Sequence, residues 1–183
     1  MLEAWDKAAF LALNSLHAPW LDGFMYQASS TGVWIPFFLV LLYLLWRAYG
    51  KAMLWIIVIL PLLILLCDQT ASGLFKPLVK RLRPCNDPEI GHLVHIVNGY
   101  CAQSYGFFSS HASNSFGLAT YLAFFFRGKS TLGLWSGFVW AVLHSYTRIY
   151  LGVHYPGDIM AGAGVGVLYG WGCALLAQKL IRC

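Results

Sequence analysis

The chain has 183 residues, of which 59% are hydrophobic and 10% charged, and its formal net charge is +5. A soluble domain carries about 25% charged residues, so the composition excludes an ordinary water-soluble globule, and the length allows a single domain, residues 1–183. The basic residues fall between apolar runs rather than in one patch, which fits membrane topology and argues against a nucleic-acid partner.

The chain opens on Glu3, Asp6 and Lys7. This acidic start differs from the basic n-region of a secretory signal, and no convincing cleavage site follows, so the segment is read as retained. Over residues 4–17, Trp5, Ala9, Phe10, Leu13 and Leu16 recur at helical spacing. The apolar part is too short to cross about 30 Å of hydrocarbon, and residues 1–20 are expected to form an interfacial amphipathic helix. Five candidate spans follow, at about 24–46, 52–75, 108–126, 132–147 and 157–178. The second is apolar to Cys67 and mixed through Asp68, Gln69 and Ser72. A polar loop, 76–106, separates it from the third. The expected architecture is an all-α integral membrane bundle of five to six helices. Trp20, Trp34, Trp46, Trp55 and Trp135 lie near span ends, as interfacial anchors do. Gly162, Gly164, Gly166, Gly170 and Gly172 crowd the last span and predict close helix packing.

Charge orients these spans. Arg47 and Lys51 follow the first span, Arg127 and Lys129 the third, and Lys179 and Arg182 the fifth. With five crossings all three pairs share one side, which the positive-inside rule makes cytoplasmic. The 76–106 loop and the 148–156 turn then face the opposite side, the periplasm or exterior of a bacterium. Whether residues 4–20 also cross affects only the N-terminus.

On that second side Lys76, Lys80, Arg81 and Arg83 fall close together, and Arg148 ends the fourth span. Such a cluster alone fits contact with anionic headgroups. His111 at the start of the third span, and His154 and Asp158 around the turn before the fifth, point further, because ionisable groups near a membrane core are costly and mark function. Three cationic groups in one pocket suit a phosphate, and Ser109 and Ser110 at a helix start add hydroxyl and backbone donors. Of two histidines, one is suited to attack phosphorus and the other to protonate the departing oxygen. Asp158, four residues after His154, can hold one imidazole nitrogen and leave the other free. A metal is the competing reading of His and Asp. His92 and His95 have only Asp87 and Glu89 nearby as carboxylates, and no metal is expected. His144, inside the fourth span, reads as a packed, hydrogen-bonded histidine.

The sequences Lys76-x6-Arg83-Pro84, Phe108-Ser109-Ser110-His111 and Thr147-Arg148-x5-His154-x3-Asp158 resemble, in order and interval, the three signature motifs of the type 2 phosphatidic acid phosphatase superfamily. Together they span residues 76–158. The family's second motif is usually Pro-Ser-Gly-His, so Phe108 and Ser110 depart from it, and Thr147 stands where Ser is usual. Every charged and histidine position is kept. The resemblance implies His154 as the nucleophile that becomes phosphohistidine, Asp158 as its support, and His111 as acid and then base. Lys76, Arg83, Ser109, Ser110 and Arg148 would hold the phosphoryl oxygens. It also implies no cofactor and a bundle of about six membrane helices. Soluble acid phosphatases and vanadium haloperoxidases share this site, and the apolar spans place this chain with the bacterial membrane branch, with the site at the extracytoplasmic ends of the last three spans.

A lipid phosphate in the surrounding bilayer is therefore the expected substrate. Undecaprenyl pyrophosphate is placed first, a lipid A phosphate second, and phosphatidylglycerophosphate or phosphatidic acid after them. Headgroup choice is assigned to the polar residues of 85–106, chiefly Asn86, Glu89, His92 and His95, with Asp87, Asn98, Gln103 and Tyr105 as further contacts. Cys85 and Cys101 share this loop. An oxidising compartment permits a disulfide there, with two free thiols as the alternative. Cys67 and Cys173 read as packed apolar residues. An anionic-lipid transporter and a lipid-binding scaffold are the readings of other classes, and neither needs a His–Asp pair beside a second histidine. Oligomeric state is not legible.

Overall fold

The computed structural model describes residues 2–101 and 105–182. Among these, the chain is helical and without strands. In order the α-helices are α1 (Leu2–Asn14), α2 (Pro19–Ala28), α3 (Ile35–Tyr49), α4 (Met53–Asp68), the short α5 (Lys76–Val79), α6 (Ser110–Phe126), α7 (Thr131–Tyr150) and α8 (Pro156–Arg182). Large apolar side chains point outward from the long helices, among them Leu39, Val58, Leu65, Val139, Leu143 and Leu168. A soluble protein would hide this belt, whereas a bilayer solvates it.

The expected first span is not one helix. Pro19 starts α2 at a position that needs no N–H donor, Ser29 and Ser30 interrupt it, and a 3₁₀ turn at Thr31–Trp34 leads into α3. Residues 24–28 therefore belong to α2, and the apolar helix begins after the break. The sequence marks this boundary, since Gln27, Ser29, Ser30, Thr31 and Gly32 interrupt the apolar run, and Trp34, whose Nε1 donates to Ala28 O at 2.7 Å, fixes the turn.

The second span continues further than its apolar stretch. α4 passes into a π-helical segment, Gln69–Phe75, and then α5, which stops where Lys80 turns left-handed at φ 54°. Widened turns of this kind occur mostly at functional positions. This one carries Ser72, whose hydroxyl reaches Lys76 Nζ at 3.1 Å and Ser110 Oγ at 3.1 Å.

α6 lies at the centre, against α7 on one side and α8 and α4 on the other. Three of the expected glycines explain how close α8 comes. A Cβ on Gly162, Gly166 or Gly170 would collide with the backbone oxygens of Ser109, Ser113 and Gly117, one turn apart along α6. Gly164 and Gly172 face open space instead. Small residues let two backbones approach, and here that approach lets Ser109 N–H donate to Asp158 O at 3.1 Å. The core away from this contact is apolar, built on Leu45, Ile56, Leu63, Tyr121 and Phe126. Tyr121 spends its hydroxyl on Ile56 O at 2.7 Å, so its buried oxygen is satisfied.

α1 is a separate helix laid over one end of the bundle. Phe10 is buried against Tyr155. Asn14 ties α1 down by donating to Ile149 O at 3.0 Å and Tyr150 O at 2.9 Å, and by accepting from His95 N at 2.8 Å. Removing that amide would orphan buried backbone groups, at about 1–3 kcal/mol each.

Candidate active site

One end of the bundle collects the C-terminal ends of α5 and α7 and the N-terminal ends of α6 and α8. Two loops close over it. In segment 80–86, Gly106 N–H donates to Arg81 O at 2.8 Å and Cys85 N–H donates to Gly152 O at 3.1 Å. Gly152 is obliged to be glycine: its φ is 76°, and a Cβ would strike Val94 and the His95 carbonyl. The loop is further tied by a disulfide between Cys85 and Cys101, whose Cα atoms are 6.0 Å apart. The alternative of two free thiols does not hold, whereas Cys67 and Cys173 are free and buried.

His154 and Asp158 are both buried, at 2% and 0% exposure. His154 Nδ1 faces Asp158 Oδ2 at 3.4 Å, and its Nε2 faces the guanidinium of Arg83 at 3.2 Å. A guanidinium only donates and a carboxylate accepts, so the proton sits on Nδ1 and the unprotonated Nε2 accepts from Arg83. Arg83 also donates to Val153 O at 3.1 Å. Burial lowers His154 to about 4, against the opposing hydrogen bond from Asp158 and with help from Arg83 and Arg148. The imidazole is therefore neutral at pH 7. Burial, then the charge of Arg148, also lowers Arg83. Two such cations held together ask for an anion between them.

His111, on the first turn of α6, is close enough to Arg148, His154 and Lys76 to interact with each electrostatically. Its ring lies 5.5 Å from that of His144, which hydrogen-bonds Ser115 Oγ at 2.9 Å and stacks on Trp140, as a packed histidine would. Ser109 caps α6, accepting from Ala112 N at 3.4 Å. Ser110, in the position where glycine is usual, accepts from Lys76 Nζ at 3.0 Å and so holds the ammonium at the helix start. The Thr147 hydroxyl is spent inside α7, on His144 O at 2.7 Å. Arg148 donates to Ser29 Oγ. Beside it a cleft of about 330 Å³ is lined by Tyr26, Gln27, Ser29, Ser30, Tyr100, His111, Arg148 and Leu151.

The residues singled out for catalysis and phosphate binding thus converge, while the described residues among those singled out for headgroup choice do not line this cleft. Glu89 pairs with Lys7 of α1 at 2.7 Å. His95 faces Asp22 at 2.9 Å and stacks on His17. His92 and Asn98 are exposed, and Asn86 is half-buried in the 3₁₀ turn after Arg83. Tyr105 is exposed, and Gln103 lies outside the described residues. Several participants carry no sequence signal of their own. Ser29 and Tyr26 come from a segment far from every motif, Tyr100 lies in the 85–106 loop but was not among the polar residues singled out there, and Asp6 is one of two acidic residues near the start. Arg81 was visible only as one member of a basic cluster, yet it pairs with Asp158 at 2.8 Å. Among the described residues no three His, Cys, Asp or Glu side chains are placed to hold a metal ion.

A membrane helical bundle that buries an Asp-held neutral imidazole between cations, with a second imidazole nearby, is by class a protein built for phosphoryl transfer. The chain belongs to the PAP2 superfamily, whose model matches residues 52–182. It is 43% identical over 178 residues to the lipid A 4'-phosphatase of Bacteroides thetaiotaomicron, covering 96% of this chain and 78% of that one. It is 36% identical over 168 residues to the lipid A 4'-phosphatase of Porphyromonas gingivalis, covering 90% and 70%. The fold is similar to that of a transmembrane PAP2 type phosphatidylglycerolphosphate phosphatase from Bacillus subtilis, with a TM-score of 0.69 at 23% identity over 97% of this chain and 87% of that one.

Proposed function

We propose that this membrane phosphatase removes a phosphate monoester from lipid A, through a phosphohistidine formed on His154. The observation that carries the chemistry is the orientation of His154: Nδ1–H on Asp158 and an unprotonated Nε2 that accepts from Arg83, a donor an arriving phosphate would compete for. Nε2 attacks phosphorus and forms the N–P bond as the ester P–O bond breaks, and His111 gives its proton to the leaving oxygen. Water then attacks the phosphohistidine, His111 takes its proton, the N–P electron pair returns to Nε2, and orthophosphate leaves. Lys76, Arg83, Arg148 and the N–H groups at the start of α6 oppose the charge on the phosphoryl oxygens. No metal enters these steps.

Lipid A is favoured over undecaprenyl pyrophosphate, the first expectation from the family resemblance, because the relatives at 43% and 36% identity are both lipid A 4'-phosphatases. The cleft beside His111 suits such a leaving group. Tyr26 and Tyr100 offer aromatic faces to a sugar, with Gln27 and Ser30 as polar partners. The chain acts as one domain in the bacterial inner membrane, with the 76–106 loop and the site on the extracytoplasmic side and α1 in the interface.

The test is orthophosphate release by purified protein in detergent with EDTA present. The panel is lipid A, undecaprenyl pyrophosphate, phosphatidylglycerophosphate and phosphatidic acid. Release is expected from lipid A, and His154→Ala should lose about four orders of magnitude or more. Preference for undecaprenyl pyrophosphate would overturn the substrate, and robust release by His154→Ala would overturn the nucleophile.

A further inference from the structure

The Asp158 carboxylate is divided between two kinds of partner. Oδ2 takes His154 Nδ1–H and the Tyr155 N–H at 3.1 Å, while Oδ1 takes Arg81 Nη1 at 2.8 Å. The other end of that guanidinium, Nη2, donates to Asp6 Oδ2 of α1 at 2.7 Å. Asp6 Oδ1 accepts the N–H of Gly157, one residue before Asp158, at 2.7 Å. A Cβ on Gly157 would lie 2.6 Å from the Asp6 carboxylate, so a side chain there would displace Asp6 from this position. The guanidinium face is held 4.1 Å from the Tyr155 ring centroid.

We propose that Arg81 and Asp6 are positioning residues that act on His154 through Asp158, so that α1 completes the catalytic site. The inference rests on the reading of His154 as nucleophile. Arg81 approaches Asp158 from the side away from the imidazole. A fully buried carboxylate with one unbonded oxygen is costly, and an arriving phosphate dianion would repel it and turn it. Arg81 opposes both and leaves Oδ2 aimed at His154. On its own, the guanidinium would also weaken the hold of Asp158 on the imidazole. Asp6 offsets that excess charge and pins the first turn of α8.

The ionisable groups facing His154 are Arg83 from the loop, Arg148 from α7, Asp158 from α8 and His111 from α6. Arg81 and Asp6 add a charge pair behind Asp158, and removing its two members should move the imidazole in opposite directions. Arg81→Gln deletes a positive charge and should lift the His154 titration from about 4 toward the ordinary value of about 6.5. Asp6→Asn deletes a negative charge and should push it lower.

The measurement is the His154 ring titration by NMR in detergent for the full chain and both variants, paired with phosphate release. Opposite shifts are expected. Arg81→Gln should lose about 10- to 100-fold in kcat with little change in KM, and Arg81→Lys should recover part of it. A titration unmoved in both variants overturns the inference, even if both are slow, because a mere staple of α1 would change stability and leave the imidazole alone. Where Arg81→Gln does not fold, Asp6→Asn and Arg81→Lys carry the same test. Opposite shifts in a chain that hydrolyses no lipid phosphate would uphold the positioning chain and overturn the enzymatic reading instead.

Discussion

The twelve basic residues of this chain are shared equally between the two ends of the bundle, and apart from the exposed Lys80 the two sets behave in opposite ways. Arg47, Lys51, Arg127, Lys129, Lys179 and Arg182 sit at one end and are all exposed. At the other end Arg83 and Arg148 are 5% exposed, Lys76 and Arg81 are partly covered, and Lys7 and Arg81 take up the nearby carboxylates Asp6, Asp87, Glu89 and Asp158. Lys76 and Arg148 bond instead to the hydroxyls of Ser110 and Ser29. Exposed cations cost nothing to desolvate and report which side of a membrane they occupy. Covered cations turned toward hydroxyls rather than carboxylates keep their charge unneutralised, which is what the proposed binding of an anion from outside requires.

The contrast breaks most sharply if a buried cation is dispensable. Arg148→Ala should lower kcat/KM by about 10²–10³-fold, read as phosphate release. A variant within a few-fold of the original would remove Arg148 from the pocket. A second test uses pH. The imidazole of His154 is lowered to about 4 by burial, so it keeps its lone pair above that pH and loses it below. kcat/KM should therefore fall by about tenfold per pH unit only as pH drops beneath about 4. A limb near the ordinary imidazole value would mean that His154 titrates as an exposed group.

Reduction of Cys85–Cys101 acts on the same end through stability. The bond closes a loop of sequence separation 16, for which loop closure is worth about 3 kcal/mol. Dithiothreitol should lower Tm in detergent, with a smaller loss of activity below the new transition. An unchanged Tm would show that α1 and the Gly152 turn hold the loop unaided. The smallest effect belongs to the opposite end: Arg127→Gln should leave kcat/KM unchanged and shift stability by no more than about 0.5 kcal/mol. A large loss of activity there would erase the distinction between the two ends.

The helices α6, α7 and α8 were legible to within a few residues, because their apolar runs are bounded by cues that act locally: Ser109 and Ser130 as caps, Pro156 at a first turn. The break between α2 and α3 carries a local cue as well, in Ser29, Ser30, Thr31 and Gly32, which a span drawn on average hydropathy passes over. In the site, His111, His154, Asp158, Lys76, Arg83 and Arg148 were readable as a spaced pattern. The assignment of headgroup contacts to Glu89 and His95 drew on polarity alone. Polarity does not say which neighbour consumes a side chain, and both are paired with residues of α1 and α2.

By itself the sequence determined an all-helical membrane chain, its motif spacing and the family that spacing implies, because these depend on residues near one another or on composition. Tertiary structure alone decided that the Nε2 lone pair of His154 faces Arg83, that Arg81 and Asp6 stand behind Asp158, and that Ser29 reaches Arg148. Those contacts join residues 71, 77, 75 and 119 positions apart. No local propensity encodes such pairings. They exist only because the small residues of α8 let it close on α6, and because α1 folds back over the end where the two helices begin.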